Sequence, residues 1–150
     1  MSDPFDLERF VVAQSRCYAD ALAEVRAGQK RSHWMWFVFP QVHGLGHSDM
    51  AKRYAIRSLD EARAYLAHPV LGPRLRECAE AALSVRGRTA EEIFGWPDHM
   101  KLRSSMTLFA LAAEEGSPFA RVLEAYFAGE KDDATVSRLS DAARAGRARG

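Results

Sequence analysis

Apolar residues recur at helical spacing along most of the chain, and capping residues, glycines and prolines divide this pattern into segments. The first segment opens at Asp3 and Pro4, keeps its apolar repeat as far as Val25, and ends at Gly28. No segment alternates with a period of two, so no strand is predicted. We therefore expect an all-α protein, a single compact domain of seven or eight short-to-medium helices without a substantial sheet.

Serine, threonine and aspartate residues mark where the later helices should begin. Ser58 with Glu61, and Thr89 with Glu92, match the capping box, in which the glutamate reaches back to the backbone N–H of the capping residue. Further helices are predicted to begin at Ser48 or Asp49 and at Pro73, Asp98, Ser117 and Asp133. The last of them should end at Leu139, which leaves residues 1–139 as the helical domain and residues 140–150 as a flexible tail of alanine, arginine and glycine.

The segment from Ser32 to Gln41 is the densest aromatic part of the chain, with two tryptophans and two phenylalanines among six consecutive apolar residues. Ser32 and Pro40 predict a short helix between them, although a buried strand has the same pattern. If the run is core, Trp34 faces neighbouring helices. If it lines a site, Trp34 and Trp36 stack a planar or sugar-like ligand, and Gln41 orients that ligand by hydrogen bonds.

Composition narrows the class of partner. The 150 residues are 47% hydrophobic and 27% charged, as in a soluble globular protein. The net charge is +1, and residues 140–150 hold three arginines and one aspartate, so the rest of the chain is slightly acidic and a nucleic-acid partner is not expected. No apolar segment reaches the roughly 18 residues of a membrane span and no secretory signal is seen, so we expect a cytoplasmic protein without a membrane partner.

A glycine loop follows the aromatic run. Gly44 and Gly46 would let backbone amides approach a ligand, and Ser48 opens a helix whose N-terminus attracts a phosphate or carboxylate. A simple turn followed by an N-cap has the same sequence. His43 and His47 have helical spacing within this loop and no third ligand completes them, so no metal and no cofactor is predicted.

Titratable residues near these segments supply the candidate chemistry. Asp98, Lys101 and Ser105 share one face of a predicted helix, and the aromatic residues before Asp98 indicate that the start of this helix is enclosed. A solvated ion pair at a helix start would have the same spacing. Asp98 and Lys101, with His33 and Glu61, form the predicted acid, base and electrostatic set, while Lys30 and Ser105 join the ligand contacts.

Several long motifs resemble one bacterial protein family. They are Lys30 with Ser32–Gln41, Gly44–Gly46 with Ser48, Glu61–Ala62, Tyr65–Leu66, His68–Leu75, Ile93–Gly95, Asp98, Lys101–Leu102 and Ser104–Phe109. Over roughly residues 5–139 the chain is similar to the all-helical family called domain of unknown function 1810, with Val38 where isoleucine is expected. That resemblance implies the helical fold and no activity. A looser likeness to helical N-glycosidase-like families would imply a hydrolase of ribose-linked metabolites.

Two functions from different classes follow from these observations. In the first, the protein is an enzyme that binds or processes a nucleotide or ribose-containing metabolite, and an N-glycosidase-like hydrolase is the reaction class considered. In the second, it is a non-catalytic module whose aromatic run docks a partner protein or a second copy of the chain. The convergence of His33, Trp36, Asp98 and Lys101 on one open cavity would favour the enzyme.

Overall fold

The computed structural model describes the backbone of residues 3–149 and the side chains of residues 3–144. Met1 and Ser2 of the predicted domain, and Gly150 of the predicted tail, lie outside the described residues. The helices are α1 Glu8–Gln14, α2 Tyr18–Arg26, α3 Met35–Val38, α4 Asp49–Arg53, α5 Leu59–Ala67, α6 Leu71–Ser84, α7 Ala90–Phe94, α8 Asp98–Ala112, α9 Pro118–Phe127 and α10 Asp133–Arg149.

The all-α class is confirmed, but the predicted number of helices is wrong, because residues 3–149 form ten. Within that range the only extended pairing is an isolated parallel bridge between Val42 and Ile56. The first predicted helix is interrupted at Ser15, whose hydroxyl donates to the carbonyl of Val12 at 2.6 Å. The apolar repeat continues through this break because α1 and α2 both contribute to the same core, so the pattern alone hides it.

Helix α8 lies at the centre of the fold and packs against α5, α7, α9 and α10. Its residues 104–109 are all buried, so the helix is enclosed on most sides. Helix α6 packs against α2, α5 and α9, and the buried residues form one connected cluster from Leu7 to Leu139. The first turn of α8 is thereby fixed within the fold, which matters because Asp98 and Lys101 lie there.

The predicted helix starts are confirmed at four positions, where a side chain accepts from a backbone N–H. These residues are Ser48, Ser58, Thr89 and Ser117. Thr89 and Glu92 form the complete capping box, whereas the Glu61 carboxylate accepts from the N–H of Arg57 rather than that of Ser58. Neither Ser32 nor Asp98 caps a helix, because α3 begins after Trp34 and α8 begins after Pro97.

The C-terminal helix differs from the prediction at both ends. The Asp132 carboxylate accepts from the N–H of Thr135 at 3.1 Å, so this residue, rather than Asp133, satisfies the backbone at the helix start. The helix continues past Leu139 to Arg149, and residues 140–149 therefore have helical backbone. The flexibility expected of this tail stays a prediction.

Candidate functional site

An open cleft lies where the segment before α3 meets the start of α8. It has a volume of about 280 Å³ and is lined by Lys30, His33, Met35, Trp36, Trp96, Pro97, Asp98 and Lys101. We call it the Asp98 cleft. Five of the predicted site residues meet there, although Lys30 and Asp98 are far apart in sequence. The five are Lys30, His33, Trp36, Asp98 and Lys101.

Asp98 contacts two lysine ammonium groups in this cleft. Its Oδ2 is 2.8 Å from Lys30 Nζ, and its Oδ1 is 3.5 Å from Lys101 Nζ. Lys30 Nζ also donates to the backbone carbonyl of Ser32 at 2.7 Å, and the Lys30 side chain is only 8% exposed. The Lys101 side chain is 31% exposed and has no second acceptor among the described residues. Lys30 is therefore held by the protein, whereas Lys101 can turn toward a ligand.

Indole rings accompany these charges. Lys101 Nζ is 5.5 Å from the centroid of the half-buried Trp36 ring, within the range of a cation–π contact. Trp96 is 74% exposed at the edge of the same cleft, which is unusual for a large aromatic side chain. The cleft thus combines positive charge with two aromatic surfaces that a planar ligand can reach.

Glu24 of α2 anchors the segment that carries His33 into the cleft. Its carboxylate accepts hydrogen bonds from the backbone N–H groups of Arg31 and Ser32, from the Ser32 hydroxyl and from Trp34 Nε1, at 2.6 to 2.9 Å. Burial acts to raise the pKa of Glu24, but these hydrogen bonds outweigh it and lower the pKa to about 2. The backbone N–H of Lys30 also donates to Ile93 of α7 at 2.7 Å, so both ends of the segment are fixed.

Two predicted ligand contacts are contradicted by their burial. Trp34 is fully buried, packs against Phe39 and Phe94, and donates its indole N–H to Glu24, so it cannot form a stacking wall. Ser105 is also fully buried, and its hydroxyl has no hydrogen-bond partner within residues 3–144. Ser105 does not line the Asp98 cleft, because it belongs to the enclosed part of α8.

Glu61 lies in a different part of the molecule from the other predicted catalytic residues. Its carboxylate is 3.0 Å from the Arg9 guanidinium and accepts from the N–H of Arg57, also at 3.0 Å. These residues line a separate cleft near α1 that shares no residue with the Asp98 cleft. Glu61 is buried and holds α1 against the start of α5, so placing it in the same catalytic set as Asp98 is wrong.

The glycine loop has packing explanations for each of its predicted ligand contacts. Gly44 has φ +89°, and a Cβ there would come within 2.7 Å of the Arg138 guanidinium carbon. A Cβ at Gly46 would lie 2.5 Å from the Cβ of Ala51. Ser48 caps α4, which is only five residues long. Gly44 and Ser48 do not line the Asp98 cleft, so the structure does not bring the predicted anion contact to it.

The sequence predicts no site role for three residues that build or support the cleft. It indicates Trp96 only as one of the aromatic residues before α8, and it gives no role to Met35 or Glu24. A tryptophan followed by proline at a helix start was the available signal for Trp96. Nothing local marked Glu24, because its partners are seven to ten residues away across a turn.

Two negative findings concern the described residues. No helix within residues 3–149 has the length and apolar character needed to cross a membrane. The same part of the chain contains no group of three histidine, cysteine, aspartate or glutamate side chains placed to bind a metal ion.

Comparison with known proteins places this geometry in a family. Curated proteins give no match. Among solved structures, the conserved hypothetical protein Rv1873 from Mycobacterium tuberculosis is similar, with 56% sequence identity and a TM-score of 0.90, and the match covers 92% of this chain and 99% of that one. The family model described as "Protein of unknown function (DUF1810)" matches residues 4–139. The chain therefore belongs to the DUF1810 family, as its sequence motifs predicted.

Proposed function

We propose that the Asp98 cleft binds a nucleotide or a related ribose-linked metabolite that carries an aromatic base and a phosphate. The observation that carries this proposal is the convergence of Trp36, Trp96, Asp98 and two lysines on one open cavity. Two ammonium groups against one carboxylate give the site a net charge of +1, which suits an anion. A volume of about 280 Å³ lies near the lower end of small-molecule sites and matches a mononucleotide better than a dinucleotide.

Each group has a distinct part in this proposal. Lys101, which lacks a close partner, would turn from Asp98 to the phosphate. The half-buried Trp36 and the exposed Trp96 would offer their ring faces to the base. Lys30, fixed by Asp98 and Ser32, would keep the carboxylate in place. Nucleotides are present in the cytoplasm, which is the compartment that the sequence predicts for this protein.

The reaction that these groups would support is hydrolysis of the N-glycosidic bond. As that bond breaks, its electron pair goes to the base nitrogen, and positive charge develops on the ribose, where the Asp98 carboxylate can stabilise it. A water molecule then forms the new bond to the anomeric carbon and loses a proton, and the departing base takes up a proton. His33, exposed at the cleft, is placed to exchange these protons with solvent.

A titration of the protein with adenosine monophosphate, followed by tryptophan fluorescence, tests the binding. We expect saturable quenching in the wild type and at least about a tenfold weaker affinity in Lys101→Ala, because a charge-assisted contact is lost. Lys52→Ala is the matched control, since Lys52 is an exposed lysine outside the cleft and should leave the affinity unchanged. Equal affinities in wild type and Lys101→Ala would reject the residue assignment.

Exposed apolar side chains support a second candidate function, the docking of a partner or a second copy of the chain. Trp96 and Met100 are 74% and 55% exposed and are four residues apart in the sequence. Sedimentation velocity of the wild type and Trp96→Ala separates the two functions. A self-association that Trp96→Ala abolishes, with no response to nucleotides, would favour docking over a ligand site.

A further inference from the structure

A second, smaller cavity adjoins the Asp98 cleft. It is lined by Met35, Trp36, Phe39, Gln41, Val42, Gly46, Ala51, Tyr54 and Lys101, and its volume of about 10 Å³ holds roughly one water molecule. Three of these residues, Met35, Trp36 and Lys101, also line the cleft. Their side chains therefore form the partition between the two spaces.

Polar side chains without partners line this inner cavity. The hydroxyls of Tyr18, Tyr65 and Tyr126 each take part in a hydrogen bond, whereas that of Tyr54 takes part in none within the described residues, although Tyr54 is only 9% exposed. The amide of the half-buried Gln41 likewise has no partner there, and only its backbone carbonyl is bonded, to the N–H of Ile56 at 2.9 Å. Neither group is fully buried, because Ser105 Oγ is the one buried side-chain nitrogen or oxygen atom without a partner in residues 3–144, so both groups are accessible to a molecule that enters the cavity.

The partition is weakly held on the Lys101 side. The ammonium group has only its 3.5 Å contact with Asp98 and its position 5.5 Å from the Trp36 ring. Movement of this side chain toward a phosphate in the cleft breaks no short hydrogen bond. Because Lys101 lines both spaces, that movement would join the inner cavity to the cleft.

We infer that Gln41 and Tyr54 form an inner polar subsite that receives the hydrogen-bonding edge of the ligand's base and determines which base is preferred. This inference rests on the proposed function of the cleft. An amide and a hydroxyl together offer both donors and acceptors, and the four nucleobases differ in the order of donors and acceptors along their edges. A site that forms hydrogen bonds with its ligand discriminates against a mismatched one, because the mismatch leaves polar groups of the site unpaired.

Affinities for five probes test the subsite: the monophosphates of adenosine, guanosine, cytidine and uridine, and ribose 5-phosphate, which lacks a base. In the wild type we expect at least a tenfold range among the four nucleotides. In Tyr54→Phe and Gln41→Leu that range should shrink at least threefold, while the affinity for ribose 5-phosphate is unchanged. Tyr126→Phe, which removes a hydroxyl bonded to Ala82 away from the cavity, should retain the wild-type range.

The possible failures are distinguishable. Phenylalanine keeps the ring of Tyr54 against Phe10 and Phe37, so Tyr54→Phe should fold even if Gln41→Leu does not, and circular dichroism checks both. A wild type that binds all four nucleotides equally, or a range unchanged in Tyr54→Phe, overturns the subsite and leaves the cleft proposal standing. Absence of binding by all five probes overturns the proposed function and the subsite with it.

Discussion

The Asp98 cleft and the glycine loop at residues 44–48 differ in what their polar groups contact. In the loop, Ser48 is engaged by the N–H of Ala51, Gly44 lies against Arg138, and Gly46 lies against Ala51. In the cleft, Lys101 has one 3.5 Å contact and Trp96 is exposed beside an open space. Residues whose hydrogen bonds and packing contacts are all made within the protein maintain the fold. Residues beside a cavity that still have an unpaired polar group or an exposed ring are available to a ligand.

Asp98→Asn should produce the largest effect, and it tests whether the cleft residues act on a ligand. An asparagine keeps an oxygen near Lys30 but removes the negative charge that stabilises a developing ribose cation. We expect release of free base from adenosine monophosphate to fall by at least about 100-fold, with unchanged or tighter binding because the cleft becomes more positive. Chromatography of the products measures the base. Base release at the wild-type rate in this variant would reject the role given to Asp98.

Glu24→Gln should have the next largest effect, because Glu24 anchors the segment that borders the cleft. Loss of its charge weakens four hydrogen bonds, so we expect the free energy of unfolding to fall by about 2 kcal/mol and nucleotide affinity to fall with it. Since the pKa of Glu24 is lower in the folded protein, its stabilisation is complete above about pH 4.5 and is lost as the pH falls toward about 2.

Urea unfolding of wild type and Glu24→Gln between pH 2.5 and pH 6 checks this prediction. The difference in stability between the two proteins should narrow as the pH falls. Glu91→Gln is the matched control, because Glu91 is an exposed glutamate without a side-chain hydrogen bond among the described residues. A difference between wild type and Glu24→Gln that is constant over this pH range would show that the carboxylate charge does not hold the segment.

Ser48→Ala should have the smallest effect, and it tests whether the glycine loop only maintains the fold. It removes the side-chain cap of α4, so we expect a loss of about 1 kcal/mol or less in the free energy of unfolding. Nucleotide affinity should not change, because Ser48 does not line the cleft. If Ser48→Ala reduced nucleotide affinity as strongly as Lys101→Ala does, the glycine loop would instead belong to the binding site.

The sequence predicted local features of the fold better than long-range ones. Caps such as those at Ser58 and Thr89 depend on residues within one turn, and the structure confirms them. The break between α1 and α2 was missed because both helices bury the same apolar repeat in one core. The sequence does not show that Glu61 lies apart from Asp98, because the partner of Glu61, Arg9, lies 52 residues earlier in the chain.

The candidate site shows the same limit. The aromatic run indicates a site, but α3 has only four residues and begins after Trp34, so no helical period shows that Trp34 points into the core and Trp36 toward the cleft. The spacing of Asp98 and Lys101 predicts that both lie on one face of a helix. The contact of Asp98 with Lys30 cannot be predicted from the sequence, because it depends on how the segment before α3 packs against α7 and α8.

A crystal structure of the protein with adenosine monophosphate tests the central claim most directly. The account predicts electron density for the ligand in the Asp98 cleft, with the phosphate beside Lys101 and the base against Trp36 or Trp96. Density for the nucleotide in the cleft formed by Arg9, Arg53 and Arg57 instead, or an empty Asp98 cleft at saturating nucleotide, would contradict it.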